Sequence, residues 1–113
     1  MTKIDTQNLK IELRRGTQVL AVLSQLTDKE YGYSLLEKLE KSKVNIEAGT
    51  LYPLLRRLET QELLTSEWDT TESRPRKYYL ISDFGKQVLS ELVKEWKDIN
   101  KEIEGLLGGY KSE

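Results

Sequence analysis

The chain has 113 residues, of which 37% are hydrophobic and 33% are charged, so we expect a single unit with a small core that a second copy of the chain would supplement. It contains no Cys and no His, which excludes a disulfide framework, the usual zinc sites and His-based catalytic triads. The formal net charge of −1 lacks the strongly basic balance that is usual for nucleic-acid binding, but affinity for phosphates depends on where the cations lie.

The apolar residues form no run that approaches the roughly 20 residues of a membrane span. Residues 1–10 also lack the apolar segment of a signal peptide. We therefore expect a cytoplasmic protein without membrane contact, and the composition indicates no metal and no cofactor.

Helical periodicity predicts three helices in the first half of the chain. A first helix is indicated from Leu9 to Leu26, and a second from Tyr31 to Ser42. The clearest amphipathic pattern predicts a third helix whose buried face consists of Leu51, Leu54, Leu55 and Leu58. Pro53 is tolerated only if this helix begins near residues 48–50, where the first amides have no helical partner.

Two short strands follow, and a long helix ends the chain. Leu63 to Trp68 and Arg76 to Ile81 are rich in apolar, aromatic and Thr residues and predict a β-hairpin. Ser82 and Asp83 then provide an N-cap and a first-turn acid for a helix that reaches about Glu104. At 1.5 Å per residue this helix would be roughly 33 Å long.

This order of elements predicts a mostly α fold with a small β-hairpin, a winged helix-turn-helix followed by a C-terminal helix. Within one structural unit, we expect residues 1–82 to form the DNA-binding part. Residues 83–113 would form the dimerisation helix and tail.

The exposed face of the third helix has the residue types of a DNA-reading surface. Arg pairs with guanine or phosphate, and hydroxyl groups donate to phosphate oxygens. The residues on this face are Thr50, Tyr52, Pro53, Arg56 and, at its edge, Arg57. On its own, such a pattern is more often an ordinary solvated helix face.

The turn of the hairpin favours the DNA interpretation. Arg74, Arg76 and Lys77 lie within four residues, beside Pro75 and without an acid among them. Clustered like charges repel each other, so a turn that serves only solubility is the weaker explanation. We expect these cations to contact the phosphate backbone.

Three segments of the sequence resemble the PadR family: YGY at residues 31–33, GTLYPLLRRLE at 49–59 and RPRKYY at 74–79. The resemblance extends over roughly residues 9–107 and includes Gly85 in the last helix. It implies a bacterial dimeric winged-helix regulator, in most cases a repressor. It also implies that the operator is faced by Thr50, Tyr52, Pro53 and Arg56, and that its backbone is held by Arg74, Arg76 and Lys77.

Two positions depart from the family pattern, and the role of a tyrosine pair is left with two interpretations. Glu62 stands where the family usually has a glycine, and a left-handed residue there would cost about 1 kcal/mol. Ser73 likewise replaces a common glycine, which predicts a different shape for the wing tip. Tyr33, together with Tyr31, either touches phosphate or packs at the corner of the first two helices.

A regular apolar seam runs along the final helix, with the spacings 3, 4, 3, 4 and 3 of a heptad pattern. Its members are Leu89, Leu92, Trp96, Ile99, Ile103 and Leu106. Such a seam packs either on the first helix of its own chain or on a second chain. We expect a homodimer, because one small core cannot cover so long a helix, and the PadR resemblance implies the same.

Trp96, at the middle of the seam, is also a candidate for effector binding. Some PadR-like multidrug sensors hold a planar effector between tryptophans, and the resemblance extends this role to Trp96 as one of two interpretations. The more common explanation is that Trp96 fills interface volume.

We therefore expect a homodimeric transcriptional regulator, a repressor, that binds a pseudo-palindromic double-stranded DNA operator and is released by a small-molecule effector. One alternative is a winged-helix protein-interaction module without a DNA role. A small enzyme is the weaker alternative, because the sequence has no paired carboxylates and no phosphate-binding glycine loop.

Overall fold

The computed structural model describes residues 5–110, so the first residues, on which the signal-peptide expectation rests, lie partly outside it. The helices are α1 (Thr6–Arg15), α2 (Gln18–Ser24), α3 (Gly32–Lys41), α4 (Ala48–Thr60) and α5 (Asp83–Leu106). The strands are β1 (Glu30–Tyr31), β2 (Leu64–Asp69) and β3 (Arg76–Ile81), and one turn of 3₁₀-helix, Leu107–Gly109, follows α5.

This arrangement confirms the predicted fold class. Helices α2, α3 and α4 and the β2–β3 hairpin form a winged helix-turn-helix, and the long α5 continues beyond it. Within the described residues no helix combines the length and the apolarity needed to cross a membrane.

The single first helix predicted from Leu9 to Leu26 is wrong, because the chain divides it into α1 and α2 at Gly16 and Thr17. The Thr17 hydroxyl donates to the Arg14 carbonyl at 2.7 Å, and the Thr17 amide donates to the same oxygen at 3.0 Å. Gly is a poor helix former, and a Thr side chain competes for helical carbonyls. Helix α1 therefore stands apart from the core and buries none of its residues.

The wing is a three-stranded antiparallel sheet in the order β1-β3-β2, not a hairpin alone. Strand β1 pairs Glu30 with Tyr79 and Tyr31 with Tyr78. The sequence could not indicate β1, because a two-residue strand is too short for an alternating pattern. The hairpin itself runs in register from Leu64 opposite Ile81 to Asp69 opposite Arg76.

The core lies between α2, α3, α4 and the inner face of the sheet. The leucine face predicted for α4 is buried, which confirms the amphipathic pattern. The buried hydrophobic residues are Val22, Leu23, Leu26, Leu35, Leu39, Ile46, Leu51, Leu54, Leu55, Leu58, Leu63, Leu64, Tyr79 and Ile81.

The ends of α4 and the start of α5 follow the predicted signals. Helix α4 begins at Ala48, and Glu62 beyond its end has a φ of 64°, so the expected left-handed residue is present. The Leu63 amide donates to the Leu58 carbonyl at 2.9 Å and closes this helix end. At α5, the Ser82 hydroxyl accepts from the Gly85 amide at 2.9 Å, as the predicted N-cap requires.

Pro53 does not lie among the first positions of α4, where an amide would have no helical partner. It is the sixth residue of α4, beyond the four amides that lack a helical partner. Pro53 has no N–H for the Gly49 carbonyl, so α4 has one hydrogen bond fewer on its exposed side.

Candidate nucleic-acid interface

The five residues predicted to face DNA from α4 are exposed together on the side opposite its buried leucines. They are Thr50, Tyr52, Pro53, Arg56 and Arg57. None of them is acidic, and two are cations. DNA contact by these residues stays a prediction, but the structure places them on one continuous face.

Tyr52 is held by a neighbouring helix. A Cβ atom on Gly32 would lie 2.1 Å from Cε1 and 2.7 Å from the hydroxyl of Tyr52, so the ring rests on the first turn of α3. Tyr52 is still 39% exposed, and Tyr33 on α3 is 58% exposed. Two tyrosines therefore present part of their surface to solvent, one on α4 and one at the start of α3.

Tyr31 does not share this exposure. Its ring meets the Tyr78 ring edge to face, with centroids 5.4 Å apart. Tyr31 thus packs, but on β3 and not at the predicted corner of the first two helices, whereas Tyr33 is open to solvent.

The three wing cations lie in different environments. Arg74 is exposed in the loop between β2 and β3, whereas Arg76 and Lys77, at the start of β3, are only partly exposed. Because consecutive residues of a strand project from opposite faces, Arg76 and Lys77 turn away from each other.

Lys77 points toward α4. Its Nζ atom lies 2.9 Å from Oε1 of Glu59, in the last turn of that helix, and 5.2 Å from the centroid of the Tyr79 ring. The same Glu59 carboxylate accepts a hydrogen bond from the Ser66 hydroxyl on β2. These two bonds hold the pKa of Glu59 below its usual value, and the bond to Glu59 raises the pKa of Lys77.

Arg76 points toward β1. Its guanidinium stacks on the Tyr31 ring, 4.6 Å from the centroid, and the neighbouring Tyr78 side chain raises the pKa of Arg76. Glu72, in the same loop as Arg74, lies 3.9 Å from Arg76.

Sequence reasoning assigned no role to Glu59 or Ser66. Glu59 stands in the family-like segment 49–59, but nothing in a single sequence says that it meets residues 7 and 18 positions further on. These side chains come together only because the hairpin packs against α4.

The predicted seam divides into two parts on α5. Leu89 and Leu92 are half-buried and pack against the core of the chain. Beyond them the seam is exposed, with Trp96 at 44% and Leu106 at 80%, and this exposed part consists of Trp96, Ile99, Ile103 and Leu106. A groove of about 650 Å³ lies between this part and the α1–α2 corner, and Leu13, Leu20 and Trp96 are among its lining residues.

The described residues contain no group of three or more His, Cys, Asp or Glu side chains that could hold a metal ion. The side chains that the site does present are cations, hydroxyl groups and aromatic rings on a helix and a hairpin.

The sequence and the fold are similar to those of known transcriptional regulators. The sequence profile of the Transcriptional regulator PadR-like family matches residues 19–91. The crystal structure of a PadR family transcriptional regulator from Eggerthella lenta has a TM-score of 0.88 and 48% identity, over 92% of this chain and 93% of that one. A PadR-like transcription factor from Bacteroides fragilis has a TM-score of 0.73 and 34% identity, over 88% and 98% of the two chains.

A transcriptional regulator of Mycobacterium tuberculosis is 32% identical over 95 residues, which are 83% of this chain and 89% of that protein. The matched profile extends from α2 into α5 and includes all three motifs that carry the resemblance. The resemblance is thus confirmed, and the chain belongs to the PadR-like family of transcriptional regulators.

Proposed function

We propose that the protein is a DNA-binding repressor that acts as a homodimer on a pseudo-palindromic operator. The observation that carries this proposal is the exposed face of α4, on which Arg56 and Arg57 stand beside Thr50 and Tyr52 with no carboxylate among them. A regulator of this kind acts in the cytoplasm, where bacterial DNA lies. Membership in a family of transcriptional regulators also confirms that the chain is not an enzyme.

The roles within the site follow from side-chain chemistry. Arg56 can donate two parallel hydrogen bonds to a guanine edge in the major groove. The hydroxyl groups of Thr50, Tyr52 and Tyr33 can donate to phosphate oxygens, and so can Arg57 and, from the wing tip, Arg74. Pro53 and the ring of Tyr52 add apolar surface at the groove wall. The contacts of Arg76 and Lys77 within the fold support a different role for these two cations.

Dimerisation through α5 is the second part of the proposal, with residues 1–82 as the DNA-binding part and 83–113 as the dimerisation part. The helix has 24 residues, about 36 Å at 1.5 Å per residue, and its second half carries the exposed seam. A two-fold interface uses the same patch on both copies, so the seam of one copy can cover the seam of the other.

The third part concerns an effector. The groove of about 650 Å³ beside Trp96 falls within the roughly 300–1,000 Å³ of small-molecule sites, and an indole face suits planar apolar or cationic compounds. The alternative stays open: the partner's helix fills the groove and Trp96 only contributes volume.

Footprinting on the DNA upstream of the protein's own gene and its neighbours tests the central proposal. We expect a protected, two-fold symmetric site, and we expect Arg56→Ala to abolish protection while the variant stays folded. If the wild-type protein forms no DNA complex, so that Arg56→Ala and Arg74→Ala have no binding to remove, the chain is a protein-interaction module instead.

Effector binding is tested in a Trp68→Phe background, because Trp68 on β2 also fluoresces. Planar dyes should quench Trp96 saturably and lower operator affinity, and Trp96→Ala should remove the response while the dimer persists. A Trp96 that no dye and no small neutral quencher reaches is packed interface.

A further inference from the structure

The base of the wing is connected to the recognition helix through one carboxylate. Glu59 in the last turn of α4 accepts from Lys77 on β3 and from Ser66 on β2, so it contacts both strands of the hairpin. The Lys77 and Glu59 side chains are only 30% and 32% exposed. A partly buried ion pair with a second hydrogen bond is better fixed than an ordinary surface pair.

The opposite face of the wing is also connected to the body of the chain. Arg76 stacks on Tyr31 at 4.6 Å, and Tyr31 is both a residue of β1 and the residue that precedes α3. The Tyr31 amide in turn donates to the Ser34 hydroxyl at 3.0 Å in the first turn of α3. Two adjacent cations of β3 therefore connect the β2–β3 hairpin to two parts of the helix-turn-helix: Lys77 contacts α4, and Arg76 contacts the β1 residue that precedes α3.

The charge balance at Lys77 argues against a role on phosphate. A phosphate that approached Lys77 would also meet the Glu59 carboxylate 2.9 Å away, so the pair offers almost no net charge. Affinity that depends on salt arises when cations neutralise phosphates and release counterions. A neutral pair contributes little to that release.

Arg74 differs from both of these cations. It is exposed in the wing loop, and among residues 5–110 no carboxylate lies close enough to form an ion pair with it. Its charge is therefore available to a phosphate, and no existing bond has to break first.

We propose that Lys77, Glu59 and Arg76 are positioning residues that hold the wing at a fixed angle to the recognition helix, and that Arg74 is the wing cation that contacts phosphate. This inference rests on the proposed DNA-binding function. It refines the sequence-based expectation that all three wing cations contact the backbone.

Glu59→Ala gives opposite results under the two roles of Lys77. If Lys77 positions the wing, the variant lacks this restraint and binds operator DNA about tenfold more weakly, with the salt dependence unchanged. If Lys77 binds phosphate, removal of the competing carboxylate frees its charge, so affinity rises and the salt dependence becomes steeper. Fluorescence anisotropy with the footprinted duplex and a nonspecific duplex, at several salt concentrations, measures both quantities.

Five further variants sharpen the comparison. Lys77→Met should weaken binding as much as Glu59→Ala, and the double variant should bind no more weakly than either single one. Lys77→Arg keeps the ion pair and should retain wild-type affinity. Arg74→Ala should lower the salt slope by about 0.9 for each phosphate that Arg74 neutralises in the wild-type complex. Ser66→Ala removes one bond to Glu59 without a charge change and should weaken specific binding in the same direction.

Glu67→Ala is the matched control for charge. Glu67 lies on the same hairpin, opposite Tyr78 and on the other face from Lys77, and it pairs with Lys29 at 2.6 Å. Its removal changes the net charge by the same amount as Glu59→Ala but leaves the connection to α4 intact.

The outcomes separate this inference from the proposed function. A wild-type protein that binds neither duplex overturns the proposed function itself. Wild-type binding combined with tighter binding by Glu59→Ala, or with a lower salt slope for Lys77→Met, overturns the positioning role alone. If Glu59→Ala fails to give a cooperative melting transition, Ser66→Ala and Lys77→Met decide by the same two readouts.

Discussion

At the scale of single residues, the glycines of the fold differ in how much space their surroundings leave for a side chain. A Cβ on Gly85 would lie 2.1 Å from the Leu63 carbonyl oxygen and 2.8 Å from Cγ1 of Ile81. A Cβ on Gly49, at the exposed start of α4, meets no atom within 4 Å. The contact of a Gly85 Cβ with Leu63 would be with a backbone atom, which cannot move aside as a flexible side chain can.

We therefore expect Gly85→Ala to destabilise the protein by about 3 kcal/mol, because α5 must move away from the turn that holds Leu63. Gly49→Ala, the matched control, should be neutral or stabilising by up to about 1 kcal/mol, since Ala is the better helix former. Thermal melting followed by circular dichroism measures both, and equal melting temperatures would contradict the expectation.

Gly32→Ala should act on function more than on stability. The methyl group would meet the far end of the Tyr52 side chain, which can swing away without unfolding the chain. We expect a near-native melting temperature and operator binding that is weaker by several-fold. The same glycine substitution in a Tyr52→Ala background should have no further effect on anisotropy titrations, and a full additional weakening there would show that Tyr52 is not the cause.

The lowered pKa of Glu59 predicts how stability depends on pH. Its carboxylate is stabilised in the fold by Ser66 and Lys77, so the unfolded chain binds the proton more tightly. The contribution of Glu59 is complete above its ordinary value of 4.5 and is lost as the pH falls from there through the lower pKa of the fold. The melting-temperature difference between wild type and Glu59→Gln should shrink on acidification below about pH 4.5. A difference that is constant from pH 7 to pH 3 would contradict this.

At the scale of elements, one apolar pattern on α5 has two different environments. Its first half packs on the core through Leu89 and Leu92, and its second half leaves the seam exposed. The heptad spacing is the same in both halves, so the sequence predicts one continuous interface. The structure divides it, because the core ends before the helix does.

This division separates the effects of two lysine substitutions in the seam. Ile99→Lys should give a folded monomer, because residue 99 is 47% exposed in the single chain and a charge would be buried only in the dimer. Leu92→Lys should instead lower the melting temperature, since Leu92 packs against the core.

Sedimentation velocity distinguishes these results, with Ser90→Lys on the exposed side of α5 as the matched control that keeps the dimer. A dimer of Ile99→Lys as stable as that of the control would exclude this seam as the interface.

At the scale of the whole molecule, the proposed two-fold dimer would present two copies of α4 and two wings to one side of the DNA. Such paired recognition helices read half-sites about 34–36 Å apart, one turn of the duplex. We expect that five additional base pairs between the half-sites, about half a turn, reduce affinity to that of a single half-site in anisotropy titrations. Unchanged affinity would show that the two DNA-binding parts are not held rigidly by α5.

The sequence by itself determined the helical class, the hairpin, the leucine face of α4 and the family. The first three features follow from local rules: apolar spacing sets which side of a helix is buried, and capping residues such as Ser82 mark the helix ends. The family followed from the resemblance of residues 31–33, 49–59 and 74–79 to the PadR motifs. The exposure of Arg56 could be predicted for the same reason as the first three features, since it depends on its own helix alone. The left-handed residue at Glu62 could be predicted because the family usually has a glycine there.

Only the tertiary structure decided the strand β1 and the partners of the wing cations. The break between α1 and α2 has a local cause at Gly16 and Thr17, which apolar spacing alone does not reveal, and Tyr31 needs β3 beside it to form a strand. Arg76 and Lys77 look alike in sequence, yet the pleat sends one to Tyr31 and the other to Glu59. Contacts between residues far apart in the chain depend on how whole elements pack, and no local pattern encodes that packing.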